Sequence, residues 1–145
     1  MVRLLARTRI LTVSITGSLG YRGFFTTVDI PRAKQTALSM KNDLDFAVGT
    51  YDDTRGIQRS FLMNPNGQFR KLAIKGSARG LNDFNIVVGY NKTQAFSFDL
   101  NKNSYSALEF PGAQSTSASG VNNKGQIVGD YRDAAGALHG YLLTP

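Results

Sequence analysis

The chain has 145 residues, 41% of them hydrophobic and 19% charged, which is the composition of a globular domain and not of a disordered chain. It has no cysteine and a single histidine, His139, so disulfides, thiolate nucleophiles and multi-histidine metal sites within one chain are excluded. The net charge of +7 is concentrated at the start, where residues 1–41 hold seven basic side chains against Asp29 alone. A basic face over the whole molecule is therefore not expected, and nucleic acid is not a predicted partner.

Residues 1–22 are predicted to be a basic N-terminal arm or an extra strand, followed by a β domain of residues 23–145. Arginines lead into residues 10–15, where Ile, Leu, Thr and Val with rough alternation are typical of a strand. Basic residues before an apolar run would also suit an export signal, but this run is short and no small-residue cleavage site follows. No stretch of about 18 apolar residues exists, so the sequence predicts no transmembrane segment.

A motif recurs three times after the arm, at intervals of forty residues. Each copy has an asparagine and then a Val-Gly pair: Asn42 with Val48-Gly49, Asn82 with Val88-Gly89, and Asn122 with Val128-Gly129. A polar connection and an aromatic residue follow each pair, namely Phe61, Phe96 and Tyr141. A segment of alternating apolar and polar residues is found at 25–31, 69–75 and 105–111. Alternation of this kind is typical of a strand with one buried face.

The motif predicts three repeats of four short antiparallel strands. The first two strands would form a hairpin at the asparagine, which tolerates turn conformations, and the third strand would carry the aromatic residue. The alternating segment would be the fourth strand. Because the chain enters with a fourth strand and leaves after a third, the last repeat is complete only if residues 25–31 join it, in this molecule or in a neighbour.

The third repeat carries the fullest form of the motif. It reads Gly-Val-Asn-Asn-Lys-Gly-Gln-Ile-Val-Gly-Asp-Tyr over residues 120–131, then has Asp133 to Gly136, and ends with His-Gly-Tyr-Leu at residues 139–142. Residues 25–31 and 111–113 supply the remaining part. This pattern resembles the HAF-repeat family of extracellular bacterial proteins.

The resemblance covers roughly residues 23–143 and is weakest in the second repeat. The motif histidine is kept only as His139, with Arg59 and Gln94 at the equivalent positions. The resemblance implies β-propeller blades, an extracellular or cell-envelope location in a bacterium, and a binding or structural role.

The predicted fold is all-β, with three repeats of four short antiparallel strands that form β-propeller-like blades. Three blades are fewer than the usual four to eight, so this fold predicts self-association or a longer array. The alternative is a β-trefoil or a β-prism, in which three repeats close within one chain and leave no exposed edge.

Six residues are the candidate ligand-binding positions: Tyr51, Tyr90, Tyr131, His139, Asp52 and Asp133. Aromatic rings repeated around an axis would form equivalent platforms for sugars, whereas packing between sheets is the alternative interpretation. His139 is the one candidate acid or base near neutral pH, but its replacement in the other repeats predicts no catalytic residue. Acidic residues in the turns match no calcium-loop spacing, so neither a metal site nor another cofactor is expected.

The sequence therefore predicts a non-catalytic binding or scaffold module that recognises carbohydrate or a protein surface. One alternative is a carboxylate-dependent hydrolase acting on a polymer through Asp52, Asp53, Asp130 or Asp133, which would require two carboxylates at one site. Another alternative is a structural fragment of a longer propeller.

Overall fold

The computed structural model describes residues 9–16 and 22–145, with side chains from residue 25 onward. These residues form thirteen β-strands and no helix. The strands are β1 (Arg9–Thr16), β2 (Arg22–Asp29), β3 (Gln35–Lys41), β4 (Ala47–Asp52), β5 (Gln58–Met63), β6 (Phe69–Lys71), β7 (Ser77–Leu81), β8 (Ile86–Asn91), β9 (Gln94–Asp99), β10 (Ser104–Leu108), β11 (Ser115–Val121), β12 (Ile127–Arg132) and β13 (Leu138–Leu143). The predicted all-β class is confirmed.

The strands form antiparallel meanders in chain order. The first sheet is β3-β4-β5-β6, the second is β7-β8-β9-β10, and the third is β11-β12-β13, while β1 and β2 form a separate pair. None of these four sheets closes on itself within the described residues. Of the predicted N-terminal arm, residues 1–8 and 17–21 lie outside the described residues.

Each sheet begins with a hairpin held by the recurring asparagine. The Asn42 side-chain oxygen accepts the Phe46 N–H at 2.9 Å, and the Asn82 oxygen accepts the Ile86 N–H at 2.9 Å. Three residues after the asparagine, the backbone turns through positive φ at Asp45, Asn85 and Gly125. Asn, Asp and Gly are the residue types that adopt this conformation at least cost, so the turn follows from local sequence.

The recurring glycine permits a close approach between strands. A Cβ on Gly49, Gly89 or Gly129 would lie inside van der Waals contact with a carbonyl oxygen of the preceding strand. At Gly89 that oxygen belongs to Ser77, and the added atom would also lie 2.9 Å from the Phe96 ring. The Val-Gly pair is thus explained by sterics, because only glycine leaves room for both the carbonyl and the ring.

The three large sheets pack in series. Strand β4 packs against β7, and β8 packs against β11, so the second sheet lies between the other two. The first interface buries Val48, Leu62, Leu72, Ile74, Ala78, Leu81, Val87, Phe96 and Phe98. The second interface buries Val88, Ala95, Ala118, Val121 and Ile127. Burial of a Val, Leu, Ile or Phe side chain contributes about 1.5–3 kcal/mol, so these interfaces hold the sheets together.

The segment expected as a fourth strand of the last repeat pairs elsewhere. Strand β2 contains most of residues 25–31, but it pairs with β1 from Arg9↔Asp29 to Thr16↔Arg22. The third sheet therefore has three strands in the described part of the chain. Within the same described part, no helix is long and apolar enough to cross a membrane.

Candidate functional site

Two aspartates eighty residues apart hold matching turns. One oxygen of Asp53 accepts the backbone N–H groups of Arg55 and Ile57 at 2.9 and 3.0 Å. In the third sheet, one oxygen of Asp133 accepts the N–H groups of Ala135 and Ala137, both at 2.9 Å. These bonds close the turn between the second and third strands of each sheet, which is a structural task for the carboxylate.

The second oxygen of each aspartate meets the side chain at the motif-histidine position. Arg59 Nε lies 3.3 Å from Asp53, and His139 Nε2 lies 3.0 Å from Asp133. The predicted candidate Asp52 instead accepts a hydrogen bond from Gln35. The structural counterpart of Asp133 is therefore Asp53, which the sequence analysis did not include among the ligand-binding residues although its offset of eighty residues would have identified it.

These contacts lower the pKa of both carboxyl groups. The hydrogen bond from His139 is the largest cause for Asp133, and the Ile57 N–H is the largest cause for Asp53. The Lys102 N–H lowers the pKa of Asp99 in the same way. Donors that bind the charged form favour ionisation, so all three aspartates stabilise the fold as carboxylates.

Acid should therefore weaken the fold. Since the folded pKa of Asp53, Asp99 and Asp133 lies below the ordinary 3.8, their contribution is present above that value and is lost as pH falls through the lower folded pKa. We expect the melting temperature to fall below about pH 4, with a smaller fall in Asp133→Asn, which keeps the turn acceptor. Thermal unfolding followed by circular dichroism from pH 7 to pH 2 measures this. An identical fall in melting temperature with acid in wild type and variant would contradict the stabilising role of the Asp133 carboxylate.

The three candidate tyrosines occupy three different environments. Tyr131 is stacked on Phe110, with ring centroids 3.7 Å apart, and on His139 at 5.1 Å. With both neighbours stacked on it, the Tyr131 ring has little free face for a ligand.

Tyr90 lies on the opposite face of its sheet from the position expected. It follows Gly89 directly, whereas Tyr51 and Tyr131 come two residues after their glycines. Because side chains alternate along a strand, the missing residue reverses the direction of the ring. The Tyr90 hydroxyl accepts a hydrogen bond from Arg79 at 2.8 Å, and the guanidinium carbon lies 5.3 Å from the ring centroid.

Arg79 and Tyr90 line a shallow polar groove of about 640 Å³ that is formed mainly by the first and second strands of the sheets. Its lining is Leu38, Ser39, Arg79, Tyr90, Lys92, Ser115, Thr116, Ser117, Ser119 and Asp130. The groove has few apolar surfaces, so it offers hydrogen bonds but little area for the burial of a ligand.

Tyr51 is the one candidate tyrosine that lies in the core. It is 4% exposed, and its ring packs edge-on against Phe61 with centroids 6.2 Å apart. Its hydroxyl is buried and has no hydrogen-bond partner among the described residues. A buried hydroxyl without a partner loses its hydration without a compensating hydrogen bond, so this hydroxyl lowers the stability of the fold.

A cavity of about 420 Å³ lies beside the Tyr51 ring. Its lining is Ile30, Pro31, Arg32, Ala33, Tyr51, Asp53, Thr54, Phe69 and Lys71. The cavity therefore combines apolar walls with one acidic and two basic side chains and the side chain of Tyr51.

Ile30, which lines the cavity, is a smaller side chain than its counterpart Phe110. Both residues lie in a turn of the same construction, in which the Ala33 N–H bonds to Ile30 O at 3.0 Å and the Ala113 N–H bonds to Phe110 O at 3.1 Å. Phe110 covers Tyr131, whereas Ile30 leaves space beside Tyr51.

The described residues hold no group of three or more His, Asp or Glu side chains arranged for a metal ion. Comparison of the chain with protein-family models, with curated proteins and with solved structures finds no match. The resemblance to the HAF-repeat family therefore stays a prediction, carried by the sequence motif.

Proposed function

We propose that the chain is a non-catalytic binding module of the bacterial extracellular space or cell envelope, and that it holds a carbohydrate residue in the cavity beside Tyr51. The proposal is carried by the cavity of about 420 Å³ that the Tyr51 side chain lines, next to a buried Tyr51 hydroxyl that lacks a partner among the described residues. That volume falls within the range of small-molecule sites, about 300–1,000 Å³. On binding, a small shift of the ring would bring the Tyr51 hydroxyl to the cavity, where a sugar hydroxyl would satisfy it.

The chemistry of the lining supports a sugar ligand. Ile30 and Phe69 supply apolar surface for the C–H faces of a pyranose, while Thr54 and Asp53 accept hydrogen bonds from its hydroxyl groups. Arg32 and Lys71 carry two positive charges, against the single negative charge of Asp53. Their excess favours sugars that carry a carboxylate, such as uronic acids.

The same lining favours binding over hydrolysis. Glycoside hydrolysis usually needs two carboxyl groups on either side of the scissile bond. Of the described residues that line the cavity, Asp53 alone is acidic, and both of its oxygens are engaged with Arg55, Ile57 and Arg59. A carboxylate fixed in this way positions a ligand and does not exchange protons with it.

The three sheets would be propeller-like blades. In a propeller, each blade is a four-stranded meander that packs face to face on the next one. The series in which β7 packs on β4 and β11 packs on β8 agrees with that arrangement. A trefoil or a prism would instead bring the third sheet back onto the first.

Two substitutions beside the cavity test the binding proposal. Tyr51→Phe removes only the hydroxyl and should weaken sugar binding about tenfold, the cost of an unpaired polar group. Ile30→Phe copies Phe110 and should abolish binding by filling the cavity. Tyr90→Phe is the control, because its hydroxyl faces the separate groove, and it should keep the affinity of the wild type.

Affinity is measured by calorimetry with ligands chosen from an array of neutral and uronate-containing oligosaccharides. Failure of the wild type to bind any glycan, or equal affinity of wild type and Ile30→Phe, would reject the cavity as the site.

A further inference from the structure

Equivalent residues differ in exposure according to whether another sheet covers them. Val48 and Val88 are both fully buried at 0%, because the next sheet packs on them, but Val128 is 49% exposed. Leu142 pairs with Val128 and lies on the same side of the third sheet, 63% exposed. Leu138 extends the same surface at 58%. We call Val128, Leu138 and Leu142 the tail face.

The opposite end of the series shows the complementary pattern. Ala78 and Ala118 are both 0% exposed, because the preceding sheet covers them. Leu38 has the same place in the first sheet, opposite Gly49, and is 46% exposed. We call the side of the first sheet that carries Leu38 the head face. Tail and head are the two halves of the interface that joins consecutive sheets.

A ladder of asparagines crosses the two internal interfaces. The Asn42 side-chain amide donates to the Asn82 carbonyl at 3.2 Å, and the Asn82 amide donates to the Asn122 carbonyl at 3.0 Å. Asn42 and Asn82 are 6% and 4% exposed. Asn122 is exposed, and its amide donates to Gln126 of its own hairpin. The ladder thus ends at the tail face with a donor that has no next sheet to bind.

The following residue repeats the same pattern. The Asp43 N–H donates to Asp83 Oδ1 at 3.1 Å, and the Asp83 N–H donates to Asn123 Oδ1 at 2.9 Å. In each interface the acceptors are the carbonyl of the asparagine and the side-chain oxygen of the residue after it. The first hairpin presents the same two acceptors at the head face, namely the Asn42 carbonyl and the Asp43 carboxylate. The two ends of the ladder are therefore chemically complementary.

The third sheet also lacks the strand that completes the second sheet. β10 pairs with β9, but no described strand pairs with the outer edge of β13. The β2 segment corresponds to β10 in sequence, and both lead into the same turn, in which the Ile30 N–H bonds to Thr36 Oγ1 at 3.3 Å and the Phe110 N–H bonds to Thr116 Oγ1 at 3.1 Å. An unpaired strand edge is a site for strand addition.

We propose that two copies of this chain join head to tail, with the head face of each on the tail face of the other and β2 of each added to β13 of the other. Asn122 would donate to the Asn42 carbonyl of the second copy and continue the ladder. Two copies bring six large sheets into one ring, within the four to eight blades of known propellers. The inference rests on the propeller-like blades of the proposed function and not on carbohydrate binding, although Tyr51 comes two residues after Gly49 and therefore lies on the same side of the first sheet as Leu38.

The second sheet fixes the expected register between the copies. Ser97 pairs with Ser106, and their counterparts are Leu142 in β13 and Thr26 in β2. Mixing Thr26→Cys with Leu142→Cys chains should therefore give a disulfide-linked heterodimer, since the chain has no other cysteine. The control mixture, Thr27→Cys with Leu142→Cys, places the two thiols on opposite faces and should crosslink at least about tenfold more slowly.

One head-face residue departs from the pattern and supplies a variant with the opposite effect. Lys41 takes the place of Leu81 and Val121, which are 1% and 8% exposed. Lys41→Leu should lower the dissociation constant of the dimer, because it restores an apolar residue at that position. Val128→Lys should dissociate the dimer, whereas Phe84→Lys changes a 63% exposed apolar residue in the hairpin of the second sheet, which belongs to neither face, and should not.

Light scattering of the wild type and these variants tests the inference. We expect a mass twice the 15.8 kDa of one chain for wild type, Lys41→Leu and Phe84→Lys, and a single-chain mass for Val128→Lys. A monomeric wild type, a mass that grows with concentration as in an open array, or equal crosslinking of both cysteine mixtures would overturn it. A monomer that still binds sugar through Tyr51 would reject the dimer and keep the proposed function.

Discussion

Replacement of Gly89 by alanine is expected to lower the free energy of unfolding by about 3 kcal/mol or more. The new methyl group would overlap the Ser77 carbonyl oxygen and lie 2.9 Å from the Phe96 ring. Ser77 is fixed by its pairing with Tyr90, and the Phe96 ring is fully buried, so neither neighbour moves without the loss of other contacts. The substitution should therefore separate β7 from β8 or displace the ring from the core.

Gly140→Ala is the matched control for this prediction. Gly140 is also a strand glycine, but the nearest atom to its added Cβ would be 3.9 Å away, an ordinary contact. Its cost should stay below about 1 kcal/mol. Urea unfolding followed by circular dichroism gives the midpoint of each variant. The midpoints are compared with one common slope for the dependence of the free energy of unfolding on urea concentration. Equal midpoints for the two variants would show that the close approach at Gly89 does not constrain the fold.

The local parts of this fold are predictable because they depend on neighbouring residues. Asn82 closes its hairpin through bonds to residues two and four positions later, and Asn85 supplies the positive φ. Turn chemistry of this kind is encoded within a few residues. Alternation then assigns the strands, except at residues 72–75, where β6 ends at Lys71 although the Leu72 N–H still binds the Ser60 carbonyl in register.

The partner of β2 is not predictable in the same way, because strand pairing is set by contacts distant in sequence. The alternation of residues 25–31 fits a strand against either β1 or β13. Within one chain β2 pairs with β1, and the outer edge of β13 is left without a described partner strand.

Two features of the candidate site depend on single residues that pattern matching treats as equivalent. Ile30 and Phe110 are both apolar, yet Phe110 stacks on Tyr131 whereas Ile30 lines a cavity beside Tyr51. Tyr90 and Tyr131 are both tyrosines after a Val-Gly pair, yet one residue of spacing places them on opposite faces. Exact spacing and side-chain volume, more than residue class, determine this site.

Truncation of Phe96 to alanine is expected to cost about 4 kcal/mol, equivalent to a fall in melting temperature of about 10 °C. Phe96 is fully buried between the first and second sheets, in one cluster with Val48 and Leu62. Its ring also stacks on Tyr105, with centroids 5.4 Å apart. The lost ring would leave a cavity at the interface that joins two sheets, so both sheets should unfold together.

Phe84→Ala provides the control in the same sheet, since Phe84 is 63% exposed in the hairpin turn and should cost less than about 1 kcal/mol. Urea unfolding of both variants separates burial from residue type, because each loses the same atoms. Similar losses at the two positions would mean that the core does not lie between the sheets. A large loss at Phe96 alone would place the stability of the fold in the interface between consecutive sheets, which is the interface that a second copy would extend.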